Sequence, residues 1–155
     1  MTNVKRILLA EDNANDVELT LEALGHHNLA NEVVVTRDGE EALDYLYCRG
    51  PFKMREEGNP AVLLLDLKMP KVDGMEVLRQ VKADPDLKTV PVVILTSSRE
   101  ERDLVESYHL GVNAYVVKPV DFHEFIDAVK ELGLFWSIIN VAPPSNGARR
   151  LTTGV

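Results

Sequence analysis

The 155-residue chain lacks several features that define common classes of protein. Cys48 is its one cysteine, so no internal disulfide can form, which is typical of proteins in a reducing compartment. No apolar run approaches the roughly 18 residues of a membrane span. The apolar stretch near the N-terminus is cut short by Glu11 and Asp12, so it is too short for the core of a signal peptide. We therefore expect a cytoplasmic protein that does not enter a membrane.

Positive charge is also scarce. The 17 Lys and Arg residues are outnumbered by 25 Asp and Glu residues, which gives a formal net charge of -8. Binding to nucleic-acid phosphates is largely electrostatic, and the sequence has no basic cluster beyond Arg149 and Arg150. We therefore expect no nucleic-acid partner. The absence of a G-x-G-x-x-G motif and of a P-loop argues against a nucleotide-binding α/β protein.

Short apolar runs alternate with segments of helical periodicity along the chain. The apolar runs are Val4–Ala10, Glu32–Thr36, Ala61–Leu65, Pro91–Thr96 and Asn113–Val117. A continuous apolar run bounded by turn residues is typical of a strand that is buried on both faces. Five such strands alternating with five helices predict right-handed crossovers and a parallel sheet with helices on both sides. We expect an α/β fold, a flavodoxin-like doubly wound (βα)5 three-layer sandwich with strand order 2-1-3-4-5.

Each helical segment shows one apolar face, and turn residues mark several helix starts. The spacing predicts that the first helix buries Val17, Leu21 and Leu24 and that the fourth buries Leu104, Val105 and Tyr108. The residues that predict helix starts are Asp38-Gly39, Asp73-Gly74 and either Ser97 or Ser98. The polar stretch Tyr47–Pro60 is predicted to form a long exposed loop, with Cys48 still in the second helix.

Polar side chains stand where four of the predicted strands end. Glu11 and Asp12 follow the first strand, and the other three are Asp66, Thr96 and Lys118. The carboxyl ends of parallel strands lie at one edge of a sheet, and ligands bind at that edge where the strand order reverses. The expected order places this crevice between the first and third strands. The four polar strand ends therefore predict a single site.

The charge of this site predicts a metal ion. Two like charges about 4 Å apart repel by about 4 kcal/mol at an effective dielectric constant near 20. Glu11, Asp12 and Asp66 supply three carboxylates, whereas Lys118 supplies one positive charge. Mg²⁺ is the hard divalent cation that suits carboxylate and carbonyl oxygens in an open, hydrated site. Such a site can orient a phosphoryl donor while an aspartate oxygen attacks phosphorus.

Four segments carry a resemblance to a known family. LLAEDN, LLLDLKMPKVDG, VVILTSS and NAYVVKP resemble the motifs of the bacterial two-component response regulator receiver domain, over about Val4 to Leu134. The resemblance implies that Asp66 accepts a phosphoryl group from a sensor histidine kinase or a histidine phosphotransfer protein. It implies a signalling phosphoprotein rather than an enzyme. The implied Mg²⁺ ligands are Asp12, Asp66, the backbone carbonyl of Lys68 and, through a coordinated water, Glu11.

The resemblance also implies a switch. Lys118 would pair with a phosphoryl oxygen, and its bond to Pro119 would be cis. The Thr96 hydroxyl would turn toward the phosphoryl group, and Tyr115 would rotate into the space that this motion leaves. Lys68 stands where family members tune the lifetime of the acyl phosphate.

One enzymatic alternative uses the same residues. A Mg²⁺-dependent phosphatase with an aspartate nucleophile would also place an acid at the end of a strand beside a lysine. Such enzymes need a second acid two residues after the nucleophile to protonate the leaving group. Lys68 occupies that position in this chain, which disfavours the phosphatase.

The end of the chain predicts a partner. We expect a receiver domain over residues 1–139 and a flexible tail, without an output domain, over residues 140–155. Such a stand-alone receiver would signal by protein contact or phosphorelay.

The last helix carries more apolar residues than one buried face needs, which predicts a homodimer interface at Phe135, Trp136, Ile138 and Ile139. The alternative is that this segment folds back on the domain. The segment and the long Tyr47–Pro60 connection resemble receivers that work with bacterial phytochrome histidine kinases.

Overall fold

Strands and helices alternate throughout the computed structural model, which describes residues 6–25, 32–112 and 114–133. The strands are β1 (Ile7–Ala10), β2 (Val33–Thr36), β3 (Val62–Asp66), β4 (Val92–Thr96) and β5 (Ala114–Val117). The α-helices are α1 (Ala14–Gly25), α2 (Gly39–Leu46), α3 (Gly74–Ala83), α4 (Arg99–Ser107) and α5 (Phe122–Glu131). A short 3-10 helix over Gly50–Phe52 follows α2.

The five strands form one parallel sheet with the order β2-β1-β3-β4-β5. This confirms the predicted doubly wound fold. Every residue of β1, β3 and β4 is buried, which explains why these strands read as continuous apolar runs. The order reverses between β1 and β3, so the crevice at their carboxyl ends lies where it was predicted.

Alternate strand residues face two separate cores, so the molecule has three layers. Leu8 and Leu63 pack in the core that contains buried residues of α2, α3 and α4. Ile7 and Leu64 pack in the other core, which contains buried residues of α1 and α5. Phe125 of α5 is the largest fully buried side chain of the described residues. Both faces of the sheet are thus covered, and its carboxyl edge is free to carry polar groups.

Side-chain caps fix where the helices begin. Asp38 accepts a hydrogen bond from the backbone N–H of Glu41 at 2.7 Å, and Asp73 accepts one from Glu76 at 2.9 Å. Ser98, rather than Ser97, caps α4. These caps satisfy N–H groups that have no partner within the helix. The predicted helix starts after these residues are confirmed.

Two predicted helix faces and one predicted loop are partly wrong. Leu21, Leu104 and Tyr108 are all exposed, because α1 buries Thr20 instead of Leu21 and α4 buries Val105 alone. The Tyr47–Pro60 connection is not a plain loop. Its short helix brings Phe52 edge-on to Tyr45 with ring centroids 5.2 Å apart. Helix α2 ends at Leu46, so Cys48 lies beyond it, with a φ of 54°.

Several predictions concern residues beyond the described part of the chain. The proposed interface residues Phe135, Trp136, Ile138 and Ile139 lie outside it, as does the predicted tail at residues 140–155. The described ranges contain no helix that is long and apolar enough to cross a bilayer.

Candidate functional site

The predicted polar residues stand at the carboxyl edge of the sheet. Asp66 and Thr96 are the last residues of β3 and β4, and Glu11 directly follows β1. All three are buried, with relative exposures of 4%, 2% and 1%. Lys118 follows β5, and its backbone N–H donates to the Thr96 carbonyl oxygen at 2.8 Å. The sheet register therefore delivers groups from four strands to one edge.

Lys118 lies at the centre of this group. Its Nζ atom is 3.0 Å from Glu11 Oε1, from Asp16 Oδ2 and from Asp66 Oδ1. An ammonium group has three N–H donors, so the three carboxylates use all of them. The sequence predicted Lys118 and Asp66 in one site, with the Lys118 amine paired to a phosphoryl oxygen. The bond between Lys118 and Pro119 is cis, as predicted.

Asp16 is the site residue that the sequence analysis missed. It lies in the first turn of α1, where an acid is ordinarily explained by the helix dipole. The available signal was positional. Helix α1 begins three residues after Glu11, so its first turn starts at the same sheet edge as the other acids. Only the contact to Lys118 distinguishes Asp16 from a solvated helix acid.

Three of the acids lie close enough together to hold a metal ion. Glu11, Asp12 and Asp66 each place a carboxylate oxygen within 4.8 Å of the others, and Asp12 is exposed. With Asp16 the site contains four carboxylates and the one ammonium group of Lys118, which contacts three of them, so the site is negative if all are ionised. Carboxylate oxygens are the ligands that hard divalent cations prefer. The donor set therefore fits such a cation.

Burial and the surrounding charges shift the pKa values of three groups in the site. Burial raises the pKa of Asp66, and the nearby charge of Asp12 adds to the effect, although Lys118 opposes it. Burial also raises the pKa of Glu11, to which the charge of Asp66 contributes. Burial alone would lower the pKa of Lys118. Its hydrogen bonds to Asp66, Glu11 and Asp16 outweigh burial, so that pKa lies above its usual value.

Lys68 and Tyr115, the remaining predicted residues, both contact residues of α4. The Lys68 side chain is exposed and its Nζ lies 3.4 Å from Glu101 Oε2, at the start of α4. Tyr115 of β5 is partly buried. The Arg102 guanidinium lies 4.7 Å from its ring centroid. Tyr115 also borders a cavity of about 340 Å³ between α4 and β5. Tyr115 therefore contacts α4 and lies two residues before the end of β5.

Comparison with known proteins identifies the family. The sequence profile of the response regulator receiver domain matches residues 7–130. The chain belongs to the receiver domain family. A curated relative of this receiver domain is the response regulator Rcp1 of Synechocystis sp. (strain ATCC 27184 / PCC 6803 / Kazusa). It is 39% identical over 132 residues, which are 85% of this chain and 88% of Rcp1.

Solved structures give the same result. The bacteriophytochrome response regulator AtBRR is 60% identical, with a TM-score of 0.86 over 90% of this chain and 100% of AtBRR. The phosphorylated cyanobacterial phytochrome response regulator RcpA is 42% identical, with a TM-score of 0.68 over 86% of this chain and 94% of RcpA. The Mn²⁺-bound form of Rcp1 is 38% identical, with a TM-score of 0.68 over 91% of this chain and 99% of that one. The predicted resemblance to phytochrome response regulators is confirmed.

Proposed function

We propose that this receiver domain accepts a phosphoryl group on Asp66 from the phosphohistidine of a sensor histidine kinase or a histidine phosphotransfer protein. The observation that carries the proposal is the contact of 3.0 Å between Lys118 Nζ and Asp66 Oδ1, inside a cluster of acids at the sheet edge. The phosphorylated form of the relative RcpA supports it. The protein acts in signalling, and its self-phosphorylation is a single transfer rather than turnover.

The transfer needs one nucleophilic oxygen and neutralisation of charge. A carboxylate oxygen of Asp66 attacks phosphorus and forms the new P–O bond. The P–N bond to the donor imidazole breaks, and the ring nitrogen keeps the electron pair. Phosphoryl transfer relies mainly on positioning and on stabilisation of the phosphoryl oxygens. Lys118 supplies a positive charge that already lies beside the attacking carboxylate.

Mg²⁺ is the cofactor in this proposal. Asp12, Asp66 and the backbone carbonyl of Lys68 would hold it directly, and Glu11 would hold it through a water. The close approach of three carboxylates supports this assignment, and a relative has been solved with Mn²⁺. When bound, the ion neutralises charge on the phosphoryl oxygens.

Phosphorylation would change the surface of the protein through Thr96 and Tyr115. Thr96 is buried at the end of β4, next to Leu95, which pairs with Asp66 in the sheet. Its hydroxyl would donate a hydrogen bond to a phosphoryl oxygen. Tyr115 would leave the Arg102 guanidinium and turn toward the space beside Thr96. The surface formed by α4 and β5 would then differ between the two states.

The partner in this proposal is a bacterial phytochrome histidine kinase, and the setting is light signalling in the cytoplasm. Relatives that are named as phytochrome or bacteriophytochrome response regulators support this choice. The output is a protein contact or onward phosphotransfer. A phosphotransfer profile against a panel of histidine kinases identifies the cognate one by its faster labelling.

Mass spectrometry tests the central proposal. Incubation of the protein with Mg²⁺ and acetyl phosphate should add one phosphoryl group, because the same carboxylate can displace acetate from phosphorus. Borohydride reduction followed by peptide mapping should locate that group on Asp66. EDTA should suppress the reaction. A phosphoryl group on another residue, or none under any of these conditions, would contradict the proposal.

A homodimer completes the proposal and has its own test. Phe135 and Trp136 are large aromatic residues of a kind that is enriched in interfaces, and alanine replacement of a central interface residue costs about 2 kcal/mol or more. The double variant Phe135→Ala with Trp136→Ala should therefore sediment as a monomer at concentrations where the parent is a dimer. Leu19→Ala removes an exposed apolar side chain from α1 and should leave the mass unchanged. Equal masses for the parent and the double variant would exclude this interface.

A further inference from the structure

Asp16 contacts Lys118 at the same distance as Glu11 and Asp66 do, but its side chain is more exposed than either of theirs. Its Oδ2 lies 3.0 Å from Lys118 Nζ, and its side chain is 28% exposed, against 1% for Glu11 and 6% for Asp66. We propose that Asp16 is a positioning residue, which holds the Lys118 ammonium group against Asp66 for phosphoryl transfer. This inference rests on the proposed phosphorylation of Asp66.

The three partners of Lys118 differ in what else they would contact. Glu11 and Asp66 belong, with Asp12, to the group of carboxylates that can meet at a metal ion, and within the described ranges Asp16 is not in that group. Phosphorylation converts the Asp66 carboxylate into an acyl phosphate, whose oxygen next to carbon is a weaker acceptor. The N–H that pointed at Asp66 then serves a phosphoryl oxygen. Glu11 and Asp66 would thus contact the ion or the phosphoryl group as well. Asp16 would keep Lys118 as its partner throughout.

Lys118 needs such a partner because a lysine side chain is long and flexible. Fixing this side chain in one geometry costs conformational entropy. If the folded protein does not already hold it there, this cost adds to the barrier to phosphoryl transfer. Asp16 is itself well placed to fix it. Its backbone N–H donates to Asn13 Oδ1 at 2.9 Å, which anchors the first turn of α1. The Lys118 ammonium group is thus held by an acid of helix α1 as well as by the acids at the strand ends.

Rates of phosphorylation by acetyl phosphate in saturating Mg²⁺ test the role. Asp16→Asn should lower the rate constant about tenfold, because it removes the charge from a hydrogen bond to an ammonium group. Asp16→Glu keeps the carboxylate and should recover most of the rate. Glu18 is exposed two residues further along the same helix. Glu18→Gln removes the same charge from α1 and should stay within about twofold of the parent.

A double-mutant cycle separates positioning from a general structural effect. Urea unfolding is measured without metal for Asp16→Asn, Lys118→Met and the double variant. If Asp16 acts through Lys118, the combined effect on the unfolding constant should differ from the product of the single effects by about fivefold. The rate of Lys118→Met should be the same with and without Asp16→Asn.

The outcomes distinguish this inference from the proposed function. A parent protein that takes no phosphoryl group on Asp66 overturns both. A parent that is phosphorylated on Asp66 while Asp16→Asn reacts equally fast overturns only the positioning role. Equal losses of rate in Asp16→Asn and Glu18→Gln would assign the effect to the charge of the helix and contradict the inference. Independent effects of Asp16 and Lys118 on unfolding in the double-mutant cycle would also contradict it.

Discussion

An Asp66→Asn variant should lose phosphorylation completely and yet be more stable than the parent in the absence of metal. The amide cannot attack phosphorus, so no phosphoryl group should appear in the mass spectrum. Burial raises the pKa of Asp66, which means that the fold disfavours its charged form. A neutral side chain of the same shape removes that penalty. We expect a gain of about 1 kcal/mol in the free energy of unfolding, as is common when a destabilising functional group is replaced.

The gain should depend on pH with a defined sign. A carboxyl group whose pKa is raised by folding favours the folded state while it is protonated. That contribution is lost as the pH rises from the usual value of about 3.9 through the raised value. The advantage of Asp66→Asn should therefore be full above the raised pKa of Asp66 and should fade as the pH approaches 3.9. Urea titrations of both proteins in EDTA across this range measure it.

Addition of Mg²⁺ and a control variant test the expected stability of Asp66→Asn further. The proposed Mg²⁺ site exists only in the folded state, so Mg²⁺ should stabilise the parent by mass action and the Asn variant much less. Asp127→Asn changes an exposed acid on α5 and should alter neither property. A variant less stable than the parent in EDTA, or one that still takes a phosphoryl group, would contradict this account of Asp66.

The strands and the strand-end residues could be predicted from the sequence because each leaves a local signal. Strands such as β3 are buried on both faces, so they appear as unbroken apolar runs, and a polar residue that ends such a run stands out. Asp66 and Thr96 were found in this way. The parallel register then places both residues at the same edge of the sheet, because every crossover brings the chain back to start a strand at the opposite edge.

The remaining features depend on contacts between distant segments. The orientation of α1 on the sheet decides that Thr20 rather than Leu21 is buried, and the periodicity of the helix allows either. Helix α4 buries Val105 alone, so a predicted apolar face became an exposed one. Asp16 carries no motif of its own. Its role follows from a pair of atoms contributed by residues 102 positions apart in the chain.

The two Asp-Gly pairs show the same limit. Both were predicted as turns, for which glycine usually supplies a positive φ. Neither Gly39 nor Gly74 is among the described residues with positive φ. Each is instead required by close packing, because a Cβ at Gly39 would meet the backbone of Val72 and a Cβ at Gly74 would meet that of Asp66. The position of these glycines was predictable, whereas their physical reason was not.

Gly74→Ala should accordingly be strongly destabilising. Its new Cβ would overlap the Asp66 carbonyl oxygen and lie 2.6 Å from Leu67 Cα. These are backbone atoms, so relief requires movement of the end of β3 or of the start of α3. The Gly74 N–H also donates to the Leu67 carbonyl oxygen at 2.8 Å, which leaves little freedom to separate them. We expect a loss of about 3 kcal/mol in the free energy of unfolding, measured by urea titration.

The same steric overlap should also slow the proposed phosphorylation of Asp66. A shift of about 1 Å in a reacting group can cost up to about a hundredfold in rate, so folded Gly74→Ala should phosphorylate at least about tenfold more slowly than the parent. Gly25→Ala is the matched control, since a Cβ at this end of α1 meets no atom of the described residues within 4 Å. It should change stability by no more than about 1 kcal/mol, in the stabilising direction. Equal stability and rate in both variants would mean that the contact between Gly74 and the backbone of Asp66 does not hold the proposed phosphorylation site in place.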